Sequence, residues 1–101
     1  MNASLIFPES PIQGRDFVLE YEVQPNMRAP GTLRLEIRTN RTGGWREVKR
    51  YTEFRPFFLE RISLRPHIPE GSTSLRVRFR MVAAGSEWWG SCIDSILLEA
   101  Q

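Results

Sequence analysis

Three groups of residues in this 101-residue chain carry side chains able to do chemistry. The first is the closing stretch Trp88-Trp89-Gly90-Ser91-Cys92-Ile93-Asp94-Ser95-Ile96-Leu97-Leu98-Glu99, where two indoles precede an apolar run holding one carboxylate. Adjacent residues on an extended strand point to opposite faces. One of Trp88 and Trp89 is therefore expected in the core and the other at the rim, where an indole can stack on a sugar ring or anchor a protein partner. Trp45 is expected mainly in the core. A carboxylate inside an apolar strand must be satisfied, because an unpaired buried charge is costly. Asp94 is accordingly expected to be a structural group that caps backbone N–H groups or meets an arginine at a bulge. No second carboxylate lies near it in sequence to complete an acid/base pair, and Asp16 could approach it only through the fold.

The second group is a stripe of arginines. Arg76, Arg78 and Arg80 alternate with Leu75, Val77, Phe79 and Met81, so all three guanidinium groups share one face of a strand. Arg34 and Arg38 flank Glu36 on another strand, and Glu20 and Glu22 lie on a third. If these strands are neighbours, acids and arginines form a cross-strand ladder of ion pairs, each worth ~0.2–1 kcal/mol, and this is the preferred reading. The sharper reading is an arginine-lined sheet face that grips an acidic glycan, a phosphate backbone or an acidic protein. The third group is Cys92 with His67, a pairing that could supply a nucleophile and a base. A lone cysteine in an apolar strand is usually a small buried hydrophobe, and His67 sits in a proline-rich loop without a catalytic signature, so no catalytic residue is assigned.

Bulk composition narrows the classes. Net charge is +2 and Lys49 is the only lysine beside thirteen arginines. Residues 41–65 are richer in base than the rest, but nucleic-acid binding would want a larger basic excess interleaved with aromatics, and no phosphate-cradling glycine loop is present. One cysteine excludes an intrachain disulfide framework and a zinc finger. No apolar run approaches the ~20 residues that span a bilayer as a helix. The first eight residues have no basic segment and no long apolar core, so no secretory signal is expected.

These side chains must be positioned by short strands. Residues 17–23 alternate with Phe17, Leu19, Tyr21 and Val23 on one face, and 32–39 with Leu33, Leu35 and Ile37 inward. Asn40-Arg41-Thr42-Gly43-Gly44 reads as a hairpin loop. Residues 45–51 return from it with a bulge, since Trp45, Val48 and Tyr51 break the period of two. Further strands are expected at 57–64, 74–82 and the closing segment, where Ile93, Ile96 and Leu98 face the core. A short one is expected near 5–7 or 11–13. A helix over 53–64 is the competing local reading, disfavoured by the β-rich context. Ile68 is expected to tuck inward from the loop 65–71.

The order of these pieces resembles the jelly-roll accessory domains grouped as MAM-like or galactose-binding-like. The resemblance rests on Ser10-Pro11-Ile12, Leu19-Glu20-Tyr21-Glu22-Val23, Leu33-Arg34-Leu35-Glu36-Ile37-Arg38-Thr39, Gly43-Gly44-Trp45, Ile62-Ser63-Leu64, Ile68-Pro69-Glu70-Gly71, Leu75-Arg76-Val77-Arg78-Phe79 and Trp89-Gly90-Ser91-Cys92-Ile93-Asp94-Ser95-Ile96-Leu97-Leu98. Ser95 stands where that pattern has a second aspartate, and Ser63 where an aspartate is common. The resemblance implies a module that binds glycans, joins proteins or braces a neighbouring catalytic domain.

The expectation is thus one all-β domain over 1–101, an antiparallel β-sandwich of jelly-roll type with seven to eight short strands. Its expected function is non-catalytic recognition of a glycan or protein surface through Trp88, Trp89, Arg76, Arg78 and Arg80, with Asp94 and Trp45 structural. No metal, cofactor, nucleic acid or membrane is expected. The alternative is a structural assembly component, a virion or cell-surface building block acting as a homo-oligomer.

Overall fold

The alternating segments become eight strands in the computed structural model of the protein, which describes residues 2–12, 16–25, 31–82 and 92–100. They are β1 Asn2–Ile6, β2 Ser10–Pro11, β3 Phe17–Gln24, β4 Thr32–Thr39, β5 Arg46–Tyr51, β6 Phe58–Ser63, β7 Ser74–Val82 and β8 Cys92–Ala100. The competing helix over 53–64 does not form: Phe58–Ser63 is strand β6, and the one 3-10 turn among the described residues, Arg65–His67, comes after it. Both short N-terminal strands form, one after the other along the same edge of β7.

The strands make two antiparallel sheets. One runs β1-β7-β4-β5, with β2 also on β7, and the other runs β6-β3-β8. From β3 onward every connection between consecutive strands crosses from one sheet to the other, except the β4–β5 hairpin. The pair β3–β8 therefore encloses the pair β4–β7 in sequence while lying in the opposite sheet. Such nested pairs, alternating between two packed sheets, make an antiparallel β-sandwich.

The period of two fixes which side chains meet. Leu19, Tyr21 and Val23 from one sheet pack on Leu35, Ile37, Val77 and Phe79 from the other. The rings of Tyr21 and Phe79 meet edge to face at 4.9 Å between centroids. Leu64 and Ile68 close one end, Leu64 fully buried and Ile68 packed against the core. The β4–β5 loop turns at Gly43, whose φ of +71° is costly for a residue with a Cβ. The Thr42 hydroxyl braces that loop, accepting the Thr39 N–H at 3.0 Å and donating to the Gly44 carbonyl at 2.6 Å. The expected bulge in β5 is present, between the pairs Leu35–Lys49 and Glu36–Glu47, and it leaves Val48 unpaired.

A second bulge lies in β8, opposite the stretch Glu20–Glu22 of β3. Ser95 takes a φ of +53° there. This inserted residue lets Ile93 and Ile96, three apart, both pack against the core, with Leu98 continuing the inner face. It also moves Asp94 from its expected place. Asp94 is exposed rather than buried in the strand, but its carboxylate does cap a backbone N–H at the bulge as expected, that of Ser95 at 2.8 Å.

The carboxylate that ties elements together is Asp16. It accepts the Phe17 N–H at 2.8 Å, the Ser63 hydroxyl at 2.9 Å and the Arg65 N–H at 3.2 Å. The start of β3 is thereby fastened to the end of β6, beside the backbone bond from Leu64 N–H to the Phe17 carbonyl.

A hydroxyl chain bridges the sheets at the β5–β6 side. The Tyr21 and Tyr51 hydroxyls lie 2.6 Å apart, and Tyr51 donates to the Glu60 carboxylate at 2.9 Å. Because the Tyr51 O–H is committed to that carboxylate, Tyr51 accepts from Tyr21. Burial pushes both phenols well above their ordinary range, with the Glu60 charge adding to the effect.

Candidate anion-binding face

The outer face of the five-stranded sheet carries the residues on the reverse side of the core alternation. Strand β7 contributes Arg76, Arg78 and Arg80, β4 contributes Arg34, Glu36 and Arg38, and β5 contributes Glu47 and Arg50. Register decides how they meet. Arg78 lies directly opposite Glu36, but Arg76 lies opposite Arg38, and Arg34 lies between Arg80 and Arg50. Like charges directly opposite one another on a sheet are unfavourable. The expected ladder of ion pairs therefore has one rung between β4 and β7. Glu20 and Glu22, which would have supplied others, belong to the opposite sheet.

That rung is buried. Glu36 is 6% exposed, and its carboxylate receives the Arg78 Nε–H at 2.8 Å. The Arg78 guanidinium also lies over the Trp45 ring, 4.2 Å from its centroid. Trp45 is thus not a core residue as expected: it is half-buried outside the core cluster and covers the ion pair from the hairpin side. Stacking on an indole face stabilises a guanidinium and orients its fork. Arg78 is committed to Glu36 and Trp45, which separates it from the two arginines beside it. Glu47 serves the β5 edge, 2.8 Å from Arg50 and 3.7 Å from Arg34.

Arg38, Arg76 and Arg80 make no ion pair among the described residues. Arg38 and Arg76 are exposed and border a depression of about 270 Å³ with Thr39, Asn40, Ser74 and Glu9. The Asn40 side chain is held there by accepting the Thr73 N–H at 2.9 Å. The floor is stiffened by the Thr39 and Ser72 hydroxyls, 2.9 Å apart. Two exposed arginines set opposite one another on neighbouring strands can both reach one carboxylate, sulfate or phosphate, each fork meeting it through paired N–H donors.

Sequence reasoning assigned Arg76, Arg78 and Arg80 to the site. The structure keeps Arg76 and Arg80 available, withdraws Arg78 into a buried pair, and brings in Arg38. Arg38 was read only as a flank of Glu36, because the pairing register that sets it against Arg76 is non-local. Trp88 and Trp89 lie outside the described residues. Cys92 and His67 are not brought together. Cys92 pairs with Gln24 at one end of β3, whereas His67 follows β6 beyond the Val18–Ser63 pair at the other end. Seven steps of ~3.3 Å along β3 put roughly 23 Å between those ends. No group of three or more potential metal-ligating side chains forms among the described residues, and no helix among them is long and apolar enough to cross a membrane.

Comparison with protein-family models and with curated proteins returned no match for this chain.

Proposed function

We propose that this domain is a non-catalytic binding module that docks an acidic glycan or protein surface on the outer face of its five-stranded sheet. The observation that carries this reading is the direct opposition of Arg38 and Arg76 across β4 and β7, beside a third arginine, Arg80. A sheet that sets like charges side by side weakens itself, and an anion lodged between them reverses the sign of that interaction. The buried Glu36–Arg78–Trp45 unit supports the same reading, because it supplies a rigid platform between the two ends of the arginine row. The resemblance to MAM-like and galactose-binding-like domains agrees with a recognition role.

Anionic groups on a glycan or protein suit the site better than a nucleic acid. No aromatic side chain is among the described residues that border the Arg38–Arg76 depression, so a base has no stacking platform beside those two arginines. The test is retention on an immobilised sulfated polysaccharide and on polyglutamate, with single-stranded DNA as the comparison. Retention of the first two that is lost in Arg38→Ala/Arg76→Ala supports the module. Equal retention of the double variant, or preference for DNA, removes it.

A further inference from the structure

The two outer faces of the sandwich carry opposite charge. Outward strand positions of the five-stranded sheet hold six arginines (34, 38, 50, 76, 78, 80) against Glu36 and Glu47. Outward positions of the three-stranded sheet hold Glu20, Glu22, Asp94 and Glu99 against Arg61 alone. That acidic row is bordered by apolar side chains. Leu59 stands opposite Glu22 and is 59% exposed, and Leu97 stands opposite Glu20 and is 47% exposed. Leu59 and Leu97 add exposed apolar area beside the carboxylates of that face.

We propose that the acidic partner of the arginine face is a second copy of this chain, docked through the outer face of its three-stranded sheet. This rests on the reading of the arginine face as a docking surface for acids. Charge selects the pairing. Arginine face on arginine face, or acidic face on acidic face, sets like charges together and is disfavoured, so the contact joins two different surfaces. A contact between two different surfaces leaves one of each free on the resulting pair, and copies add head to tail.

The size of the smaller face sets the strength. Strand β3 has eight residues. Three such strands ~4.8 Å apart, rising ~3.3 Å per residue, offer a footprint of roughly 370 Å². Both partners together then bury about 750 Å², below the ~1,000 Å² of a persistent interface. The stacking is therefore weak, dependent on concentration and governed by charge. Its salt response is steep, because the Debye length falls from ~30 Å at 0.01 M to ~3 Å at 1 M.

Sedimentation velocity on the 101-residue chain tests this. The expected result is a mass-average that climbs above the 11.8 kDa monomer as protein rises from about 10 µM to about 1 mM at ~0.01 M salt, and that returns to monomer at ~1 M. Arg76→Glu/Arg80→Glu removes the cationic excess, and Glu22→Arg/Glu99→Arg removes the acidic one. Each variant alone is expected to stay monomeric, with its thermal melt confirming the fold. Mixed one to one, they retain one intact face each and are expected to form a dimer that grows no further. A wild-type monomer at 1 mM in low salt overturns the proposal, as does growth that either variant leaves unchanged. The Glu22→Arg/Glu99→Arg variant is expected to keep its hold on sulfated polysaccharide. A chain that binds polysaccharide but never self-associates refutes the second-copy partner and spares the binding module.

Discussion

Replacing Tyr51 by Phe removes one oxygen and disturbs two hydrogen bonds of unequal kind. Tyr51 donates to the Glu60 carboxylate at 2.9 Å and accepts from Tyr21 at 2.6 Å. The bond to the ionised group is worth about 1.5–3 kcal/mol, and the orphaned Tyr21 hydroxyl, whose residue is fully buried, costs about 1–3 kcal/mol. Tyr51→Phe should therefore lose about 3–5 kcal/mol. Tyr21→Phe breaks only the neutral bond and leaves Tyr51 donating to Glu60, so it should lose about 1 kcal/mol. The double variant has no orphan and should be more stable than Tyr51→Phe alone, which a double-mutant cycle in urea reads directly. The same network predicts the alkaline limb. Burial keeps both phenols protonated in the fold at a pH where the unfolded chain, with tyrosines near pKa 10, releases its protons. The folded state then holds the excess protons, and stability should fall above about pH 10 by up to ~2.7 kcal/mol per pH unit, halving in Tyr51→Phe. A Tyr51→Phe loss under about 0.5 kcal/mol, or a double variant worse than the sum of the singles, would refute this account of the clamp.

Two further perturbations separate structural from available groups. Arg78→Ala strands the buried Glu36 carboxylate and should cost about 3–5 kcal/mol by thermal or urea unfolding, whereas Arg38→Ala and Arg76→Ala should stay within about 0.5 kcal/mol of wild type. Ser95→Gly relieves a left-handed backbone at the β8 bulge. It should be neutral or stabilise by up to ~1 kcal/mol, while Ser95→Val should destabilise.

The strands whose inner and outer faces differ sharply were readable from alternation alone. Residues 17–23 and 74–82 show this, because a half-buried strand writes its geometry into every second residue. The two bulges were unequally visible. The uneven spacing of Trp45, Val48 and Tyr51 announced the one in β5. The one in β8 was implicit in Ile93, Ile96 and Leu98 all facing the core, but Ser95 carries no turn signal, and its place in the bulge comes from the register against β3.

Side-chain roles failed to read out wherever they depended on pairing across the chain. Asp94 sits in an apolar segment and caps the N–H of its neighbour Ser95, but the N–H and hydroxyl donors that tie separate elements together converge on Asp16. Trp45 looked like core because it is large and apolar, but the hairpin delivers it to the outer face over Arg78. The arginine stripe was visible on β7. What makes it a site is the register against β4, which neutralises Arg78 and leaves Arg38 facing Arg76.

The most direct test of the central claim is an NMR titration of ¹⁵N-arginine-labelled protein with a sulfated oligosaccharide, following the side-chain Nε–H signals. Anion docking on the five-stranded sheet predicts that Arg38 and Arg76 shift first and saturate together, that Arg80 follows, and that Arg61 on the opposite sheet stays still. Shifts that spread evenly over all arginines, or that leave Arg38 and Arg76 unmoved, would contradict it.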